Sequence, residues 1–130
     1  MRNHKLFKVN QNAVIENEQR GILILKKDNK WMLPGGRMED EDATWFNGLL
    51  REIREETGLE EITVGDAIDV RLSDDGAKYV VTFWCIARGN PAITLSSEHD
   101  AYAWITSEEL DNYPFWHPSI PERIRAASEF

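Results

Sequence analysis

Only one cysteine, Cys85, occurs in the sequence, so an intramolecular disulfide and a four-cysteine zinc site are both excluded. Cys85 lies within the apolar stretch 79–87, where a buried and unreactive thiol is expected. The sequence has no apolar run of roughly 18 residues that could span a membrane, and residues 1–8 contain no apolar segment typical of a secretion signal. These features predict a soluble, cytoplasmic protein with no membrane partner.

Basic residues are also scarce, because 15 lysines and arginines stand against 23 aspartates and glutamates, which gives a formal net charge of −8. Proteins that bind a nucleic-acid polymer gain affinity from lysines and arginines that neutralise phosphates. The charge balance therefore predicts no nucleic-acid partner. A small anionic ligand remains compatible with it, provided that a bound cation separates the ligand from the acidic side chains. The sequence leaves open whether the protein forms a homodimer.

The sequence contains no internal repeat and no linker-like tract, and its 42% of hydrophobic residues is enough for one core. We therefore predict a single domain over residues 1–130. Alternating and β-branched patterns predict strands over 5–15, 21–25, 62–72, 79–87 and 101–105. Two capping-box sequences, which begin at Thr106 and Ser119, predict two short helices. This mixture of elements indicates the α+β class.

The segment 43–57 has the periodicity of a helix, and Gly58 is a suitable C-terminal stop. With about 100° between successive residues, one face of this helix carries an apolar stripe that we expect to pack against a sheet. The stripe consists of Phe46, Leu50, Ile53 and Thr57.

Three glutamates, Glu52, Glu55 and Glu56, share another face of the same helix, where like charges repel. One interpretation is a solvated acidic face that is partly neutralised by Arg51 and Arg54. The other is a site for a hard divalent cation. Mg²⁺ prefers carboxylate oxygens, and it keeps several waters or phosphate oxygens among its ligands. The helix alone does not decide between the two interpretations.

The surrounding residues resemble the signature of the Nudix hydrolases. That signature has a glycine, five residues, a glutamate, seven residues and then R-E-U-x-E-E-x-G-U, where U is aliphatic. The stretch from Arg51 to Leu59, REIREETGL, matches every fixed position of the second half, and Gly35 and Gly36 precede it as in the family. The motif covers about a fifth of the chain, and a match of this length is specific.

The first half of the motif departs from the family pattern. Asp42 stands where the family has glutamate, and eight residues, not seven, separate it from Arg51. We place the inserted residue between Asp40 and Phe46. Asp42 is then either a shorter substitute for the family's glutamate or the N-cap of the helix, for which aspartate is well suited, and we favour the cap.

The resemblance implies an α/β/α sandwich with a mixed central sheet and one carboxylate-bearing catalytic helix. It also implies hydrolysis of a nucleoside diphosphate linked to another moiety, with Mg²⁺ or Mn²⁺ as the cofactor. Carried over by position, Glu55 and Glu56 are metal ligands, Glu52 is a ligand or orients the attacking water, and the Gly35 carbonyl adds an oxygen. The remaining motif positions have structural roles, and Arg51 is expected to tie the helix to the preceding loop by an ion pair. These positions are Gly36, Asp42, Arg51 and Gly58.

Outside the motif, the stretch 96–100 is similar to the segment that brings a further glutamate to the metal in many family members. Glu98 is therefore a candidate metal ligand or base, whereas its neighbour His99 is expected to be a surface residue. Arg37, directly after the glycines, is placed to contact a diphosphate. The candidates for stacking on a base or sugar are Trp31, Tyr79 and Trp84.

The substrate class is not fixed by these residues. The compact length favours a (deoxy)nucleoside triphosphate pyrophosphohydrolase, and the alternatives are a nucleotide-sugar or a dinucleoside polyphosphate hydrolase. A different class also remains, in which the inserted residue and Asp42 leave a Nudix module that binds a nucleotide without hydrolysing it.

Overall fold

The computed structural model describes residues 3–129. Seven strands and two α-helices follow one another along the chain, with one 3₁₀ helix over Ser107–Asn112. The strands are β1 (Lys8–Asn17), β2 (Gly21–Lys27), β3 (Lys30–Met32), β4 (Gly35–Arg37), β5 (Ile62–Leu72), β6 (Lys78–Ala87) and β7 (Ala101–Ile105). The helices are α1 (Trp45–Thr57) and α2 (Ser119–Ala127).

The strands form one mixed sheet around β1. Strand β1 runs parallel to β6 along one edge, and it pairs antiparallel with β2 and β4 along the other. The remaining pairs, β2 with β3, β2 with β7, and β5 with β6, are antiparallel. Because β4 pairs with the first half of β1, its two glycines, Gly35 and Gly36, lie beside the middle of the sheet rather than at its edge.

One helix covers each face of the sheet, so the predicted α/β/α sandwich with a mixed central sheet is confirmed. Leu49 and Ile53 of α1 pack into one core, against residues such as Ile15 and Phe83. Ile120 and Ile124 of α2 pack into the second core on the opposite face. Other buried residues of that core are Val14, Ile24 and Ile105. Burial of two apolar faces against one sheet is the main stabilising contribution in such a fold.

Two sequence-based details of the helices are wrong. Helix α1 buries Leu49 and Ile53, whereas Phe46 is 41% exposed. The reason is that Trp45 stacks on Phe83 of the sheet with ring centroids 4.9 Å apart, and Phe46 packs edge-on against Trp45 from outside. Ile53 and Thr57 of the predicted stripe are fully buried as expected, but Leu50 is only partly buried and Leu49 lies in the core instead of Phe46.

The second error concerns α2, because Ser119 is not its N-cap. The cap position is Pro118, and Ser119 lies inside the first turn with its hydroxyl bonded to neighbouring side chains. The capping box that begins at Thr106 is present as predicted. Cys85 is fully buried, as expected from the sequence, and burial raises the pKa of its thiol to about 12. Within residues 3–129, none of the helices is long and apolar enough to cross a membrane.

Candidate active site

Gly35 and Gly36 of β4 allow closer approach of neighbouring backbone and carboxylate atoms than any other residue would permit. A Cβ on Gly35 would lie 2.0 Å from the carbonyl oxygen of Gln11, and a Cβ on Gly36 would lie 2.3 Å from a carboxylate oxygen of Glu52. Both positions therefore require glycine for close approach. The Glu52 carboxylate packs directly against the backbone of Gly36.

Arg51 joins the loop before α1 to the acidic face of the helix. Its Nε and Nη2 donate to the two carboxylate oxygens of Asp42 at 2.8 and 2.9 Å, a bidentate pair. Its Nη1 lies 3.1 Å from Glu52 and 3.2 Å from Glu55. The predicted ion pair between Arg51 and the loop is thus present, and the same guanidinium fixes two of the three helix glutamates.

Asp42 is not the N-cap of α1, so the interpretation favoured from the sequence is wrong. The cap is Thr44, whose hydroxyl accepts a hydrogen bond from the Asn47 backbone N–H at 3.1 Å. Asp42 instead accepts from Arg51 and from the Glu39 backbone N–H, and these bonds lower its pKa from 3.8 to about 2. Gly48 permits this arrangement, because a Cβ there would lie 3.0 Å from the Asp42 carboxylate.

Glu56 points into the protein, and its carboxylate has two partners. One oxygen accepts a hydrogen bond from the Gly35 backbone N–H at 2.6 Å, and the other lies 2.5 Å from Nε2 of His99. His99 is only 8% exposed, so the expectation of a surface histidine is wrong. Its burial is a product of tertiary structure, since 43 residues separate it from Glu56 and no local pattern marks it.

The segment 94–99 is tied to the C-terminal end of α1, and this places Glu98 beside the helix glutamates. The backbone N–H of Thr94 donates to the Thr57 carbonyl, and that of Ser96 donates to the Glu56 carbonyl, at 2.8 and 3.2 Å. The His99 N–H then closes a turn on the Ser96 carbonyl. Glu98 lies at the tip of this turn, with its side chain exposed.

These residues meet in one cleft of about 690 Å³. Its walls include five glutamates, two basic residues and the paired glycines of β4, namely Glu39, Glu52, Glu55, Glu56, Glu98, Lys27, Arg37, Gly35 and Gly36. Burial raises the pKa of both Glu52 and Glu56, even though Arg51 acts against the shift at Glu52 and the Gly35 N–H acts against it at Glu56. The cleft therefore holds two carboxylates whose ionised forms are incompletely compensated by the protein.

The donor chemistry of the cleft suits a hard cation, since it offers carboxylate and carbonyl oxygens without sulfur. The carboxylates of the candidate ligands do not converge on one point, however; these ligands are Glu52, Glu55, Glu56 and Glu98. Across residues 3–129, no group of three or more histidine, cysteine, aspartate or glutamate side chains is arranged to hold a metal ion. The reason lies in their present partners, because Arg51 holds Glu52 and Glu55 while Gly35 and His99 hold Glu56. These protein donors must be exchanged for a cation before the carboxylates can share it.

The aromatic candidates lie elsewhere. Trp31 packs edge-on against Tyr113, Tyr79 packs edge-on against Phe7, and Trp84 contributes to the core beneath α2. None of the three is among the residues that line the acidic cleft within the described chain. Their role in binding a substrate stays a prediction, whereas Arg37 does lie at the cleft.

The fold is an α/β/α sandwich in which the acidic helix α1 lies against Gly35 and Gly36, and comparison with known proteins identifies its family. The NUDIX domain profile matches residues 6–126, so the chain belongs to the NUDIX domain family. Its members are hydrolases that act on the pyrophosphate bonds of nucleotides, and they generally use a divalent metal ion.

Two relatives and one solved structure illustrate the similarity. The chain is 34% identical over 99 residues to a MutT-like protein of Streptomyces ambofaciens, a match that covers 75% of this chain but only 62% of the relative. It is 32% identical over 96 residues to nucleoside triphosphatase NudI of Klebsiella pneumoniae, with 65% of this chain and 67% of the relative covered. The crystal structure of a MutT protein from Methanosarcina mazei superposes with a TM-score of 0.77 at 23% identity, over 98% of this chain and 97% of the other.

Proposed function

We propose that this protein is a Mg²⁺-dependent pyrophosphohydrolase of (deoxy)nucleoside triphosphates. The observation that carries the proposal is the joint placement of Glu52, Glu55, Glu56 and Glu98 at one cleft, with two of these carboxylates desolvated. A divalent cation relieves the repulsion among them and attracts the phosphates of a substrate. The similarity to a nucleoside triphosphatase supports the choice of substrate class.

The proposed roles follow from position and contacts. Glu55 and Glu56 would hold the metal, with the Gly35 carbonyl as a further oxygen ligand, and Glu52 or Glu98 would take the proton of the attacking water. When bound, Mg²⁺ supplies orientation of that water, a lowered water pKa and compensation of charge on the phosphoryl oxygens. Arg37, which also lines the cleft, would donate hydrogen bonds to the phosphate oxygens.

The proposal is tested by incubation with a panel of nucleoside triphosphates, nucleotide sugars and dinucleoside polyphosphates in Mg²⁺ and in Mn²⁺. We expect release of pyrophosphate and a nucleoside monophosphate from at least one triphosphate. Glu56→Gln should lower kcat by at least about a hundredfold, since loss of a metal ligand removes much of the charge compensation. Glu60→Gln, an exposed glutamate just beyond the helix, is the matched control and should leave kcat unchanged.

The panel also separates the alternatives. Turnover confined to nucleotide sugars or dinucleoside polyphosphates would contradict the proposed triphosphate substrate but would support hydrolysis of a diphosphate linkage. Nucleotide-dependent thermal stabilisation without any turnover in either metal would contradict catalysis and leave a nucleotide-binding module.

A further inference from the structure

Helix α1 covers only part of the sheet face on which it lies. Alternate residues of a strand point to the same side of a sheet. In β6 the residues on the side of α1 are Tyr79, Val81, Phe83, Cys85 and Ala87. The last three are buried in the core beneath α1, whereas Tyr79 is exposed and Val81 is only partly buried. The first residues of β6 therefore extend beyond the part of the sheet that α1 covers.

Apolar side chains of two neighbouring segments continue this uncovered area. In β5, Val70 pairs with Val81 and Leu72 pairs with Tyr79. Residues directly opposite each other in an antiparallel pair point to the same face, so Val70 and Leu72 lie beside these two residues of β6. The ring of Phe7, just before β1, packs edge-on against Tyr79 with ring centroids 4.8 Å apart. The five side chains form one continuous area.

Two aromatic residues at the start of α1 extend the area at its other end. Trp45 stacks on Phe83, which lies two residues after Val81 in β6, and Phe46 packs edge-on against Trp45. Both Trp45 and Phe46 are exposed. We call the whole set the apolar face, and its members are Phe7, Trp45, Phe46, Val70, Leu72, Tyr79 and Val81.

The same strands carry polar and charged residues on the opposite side of the sheet. Asp69 and Arg71 of β5 pair with each other there. Arg123 of α2 is buried on that side, where it donates to Asn12 of β1 and Thr82 of β6. A sheet with one solvated face normally has its polar residues on that face and its apolar residues toward a covering layer. The pattern here therefore indicates that the apolar face is covered by another surface.

The size of the apolar face suits a contact between two proteins. Five of its side chains are between 39% and 62% exposed. From the usual areas of aromatic and aliphatic side chains, the face presents on the order of 600 Å². The largest apolar patch of a typical monomer is about 300–600 Å², and each partner in a stable interface contributes about 800 Å². The apolar face with a rim of neighbouring side chains reaches the size that a stable dimer needs.

The charges at the two ends of the apolar face favour a second copy of this chain as the partner. At one end, Nζ of Lys5 lies 5.2 Å from the centroid of the Phe7 ring. At the other end, Glu41 is exposed in the loop that leads to Trp45. Neither Lys5 nor Glu41 has an ion-pair partner among residues 3–129. A two-fold axis through the middle of the face places the basic end of each copy beside the acidic end of the other.

We propose that the apolar face is an isologous interface through which two copies of this chain form a homodimer. The strand faces of two sheets pack at a separation of about 10 Å, so two copies of one such face are compatible in shape. A net charge of −8 on each copy opposes association, but none of the residues of the apolar face is charged. None of them lines the acidic cleft in the described chain either, so the dimer is independent of the proposed catalysis.

Analytical ultracentrifugation of the full chain tests the proposal. At tens of micromolar, we expect the wild type to have about twice the 15.0 kDa mass of one chain and to dissociate on dilution. Val70→Glu places an unpaired charge within the interface, so it should raise the Kd of the dimer by about a hundredfold or more. Because Val70 is 62% exposed in the single chain, this variant should still fold.

Thr63→Glu is the matched control. Thr63 is exposed on the same strand as Val70. It pairs with Ile86, whose side chain points to the opposite side of the sheet from the apolar face. This variant adds the same charge to β5 outside the interface, and it should keep the wild-type Kd.

Leu72→Arg is a second variant, with a charge of the opposite sign. A positive charge lowers the net repulsion between two copies of an acidic chain, so loss of the dimer in both variants assigns the association to apolar burial. Circular dichroism checks that each variant is folded. A wild type that stays monomeric at several hundred micromolar, or a wild-type Kd in either folded variant, overturns the proposal. A monomeric wild type that co-sediments with phosphatidylcholine vesicles would show that the face binds a lipid surface, and it would also overturn the dimer.

A charge exchange at the rim tests the two-fold arrangement with exposed residues alone. Lys5→Glu should raise the Kd of the dimer by about threefold or more, because it places two acidic side chains together at each end. Adding Glu41→Lys to the same chain should restore most of the lost affinity, since the pair is then reversed in sign. A double variant that dimerises no better than Lys5→Glu would contradict the two-fold arrangement.

Discussion

Gly36 acts as a positioning residue for Glu52, because the carboxylate of Glu52 occupies the space that a side chain would fill. A Cβ at Gly36 would lie 2.3 Å from one carboxylate oxygen and 2.7 Å from the other. The neighbouring atoms belong to the end of a flexible side chain, so Gly36→Ala should displace Glu52 without unfolding the sheet. We expect kcat to fall by about tenfold or more, since misplacement by 1 Å is costly in catalysis, and Tm to change little.

A double-mutant cycle checks that Gly36→Ala acts through Glu52. If it does, Gly36→Ala should add little further loss in a Glu52→Gln background, because the two changes remove the same interaction. Additive losses would contradict the positioning role of Gly36.

The loop between β4 and α1 depends on the ion pair of Asp42 with Arg51, and this dependence has a predictable pH profile. Arg51 lowers the pKa of Asp42 from 3.8 to about 2. A lowered pKa in the folded state means that the stabilising effect is present above the pKa of the unfolded chain and is lost as the pH falls toward about 2. Asp42→Asn should thus reduce Tm at pH 6, and its difference from the wild type should shrink between about pH 4 and pH 2.

Asp40→Asn, an exposed aspartate in the same loop, is the control for this comparison. Its difference from the wild type should stay small and nearly constant over the same pH range. A difference between Asp42→Asn and the wild type that does not narrow in acid would show that the bidentate pair does not stabilise the fold.

Local patterns predicted most elements, and the errors arose where a contact between elements decided the outcome. The strands over 62–72 and 101–105 were predicted with the observed bounds, because alternation and turn residues are local signals. Both Asp42 and Thr44 are good N-cap residues, and the sequence alone did not distinguish them. Asp42 is not at the cap because it pairs with Arg51, which is nine residues further along the chain. Similarly, the stack of Trp45 on Phe83 leaves Phe46 outside the core that the helical wheel predicted for it.

Across the whole molecule, the motif predicted that Glu52, Glu55 and Glu56 line the cleft. The similarity of the segment 96–100 added Glu98, but nothing in the sequence predicted Glu39 or the side chains that hold these glutamates. His99 and Glu56 are 43 residues apart, and Arg123 and Asn12 are 111 residues apart. Such pairs depend on how strands and helices are assembled, and no periodicity in the sequence reports them. A histidine between two acidic residues is typical of a surface loop, and an arginine in an amphipathic helix is typical of a solvated face. Burial of both is visible only in three dimensions.

We predict that divalent cations stabilise the folded protein by binding at the acidic cleft. Five glutamates line it in a chain of formal net charge −8, and burial already raises the pKa of two of them, Glu52 and Glu56. A cation that binds the folded state stabilises it by about 2.7 kcal/mol at a concentration one hundred times its Kd. We therefore expect Mg²⁺ to raise Tm by several degrees in a saturable manner, measured by calorimetry without nucleotide.

Screening of surface charge by salt could also raise Tm. A control with NaCl at equal ionic strength separates this effect from Mg²⁺ binding, because screening should give a smaller increase in Tm that does not saturate. Glu56→Gln should lose most of the Mg²⁺-dependent shift in Tm. The carboxylate of Glu56 now contacts Gly35 and His99, and a neutral glutamine has no charge that would favour Mg²⁺ over these two partners. Without Mg²⁺ the same variant should be no less stable than the wild type, since the amide removes a poorly compensated charge. A Mg²⁺ shift in Glu56→Gln equal to that of the wild type would place the cation elsewhere on the acidic surface.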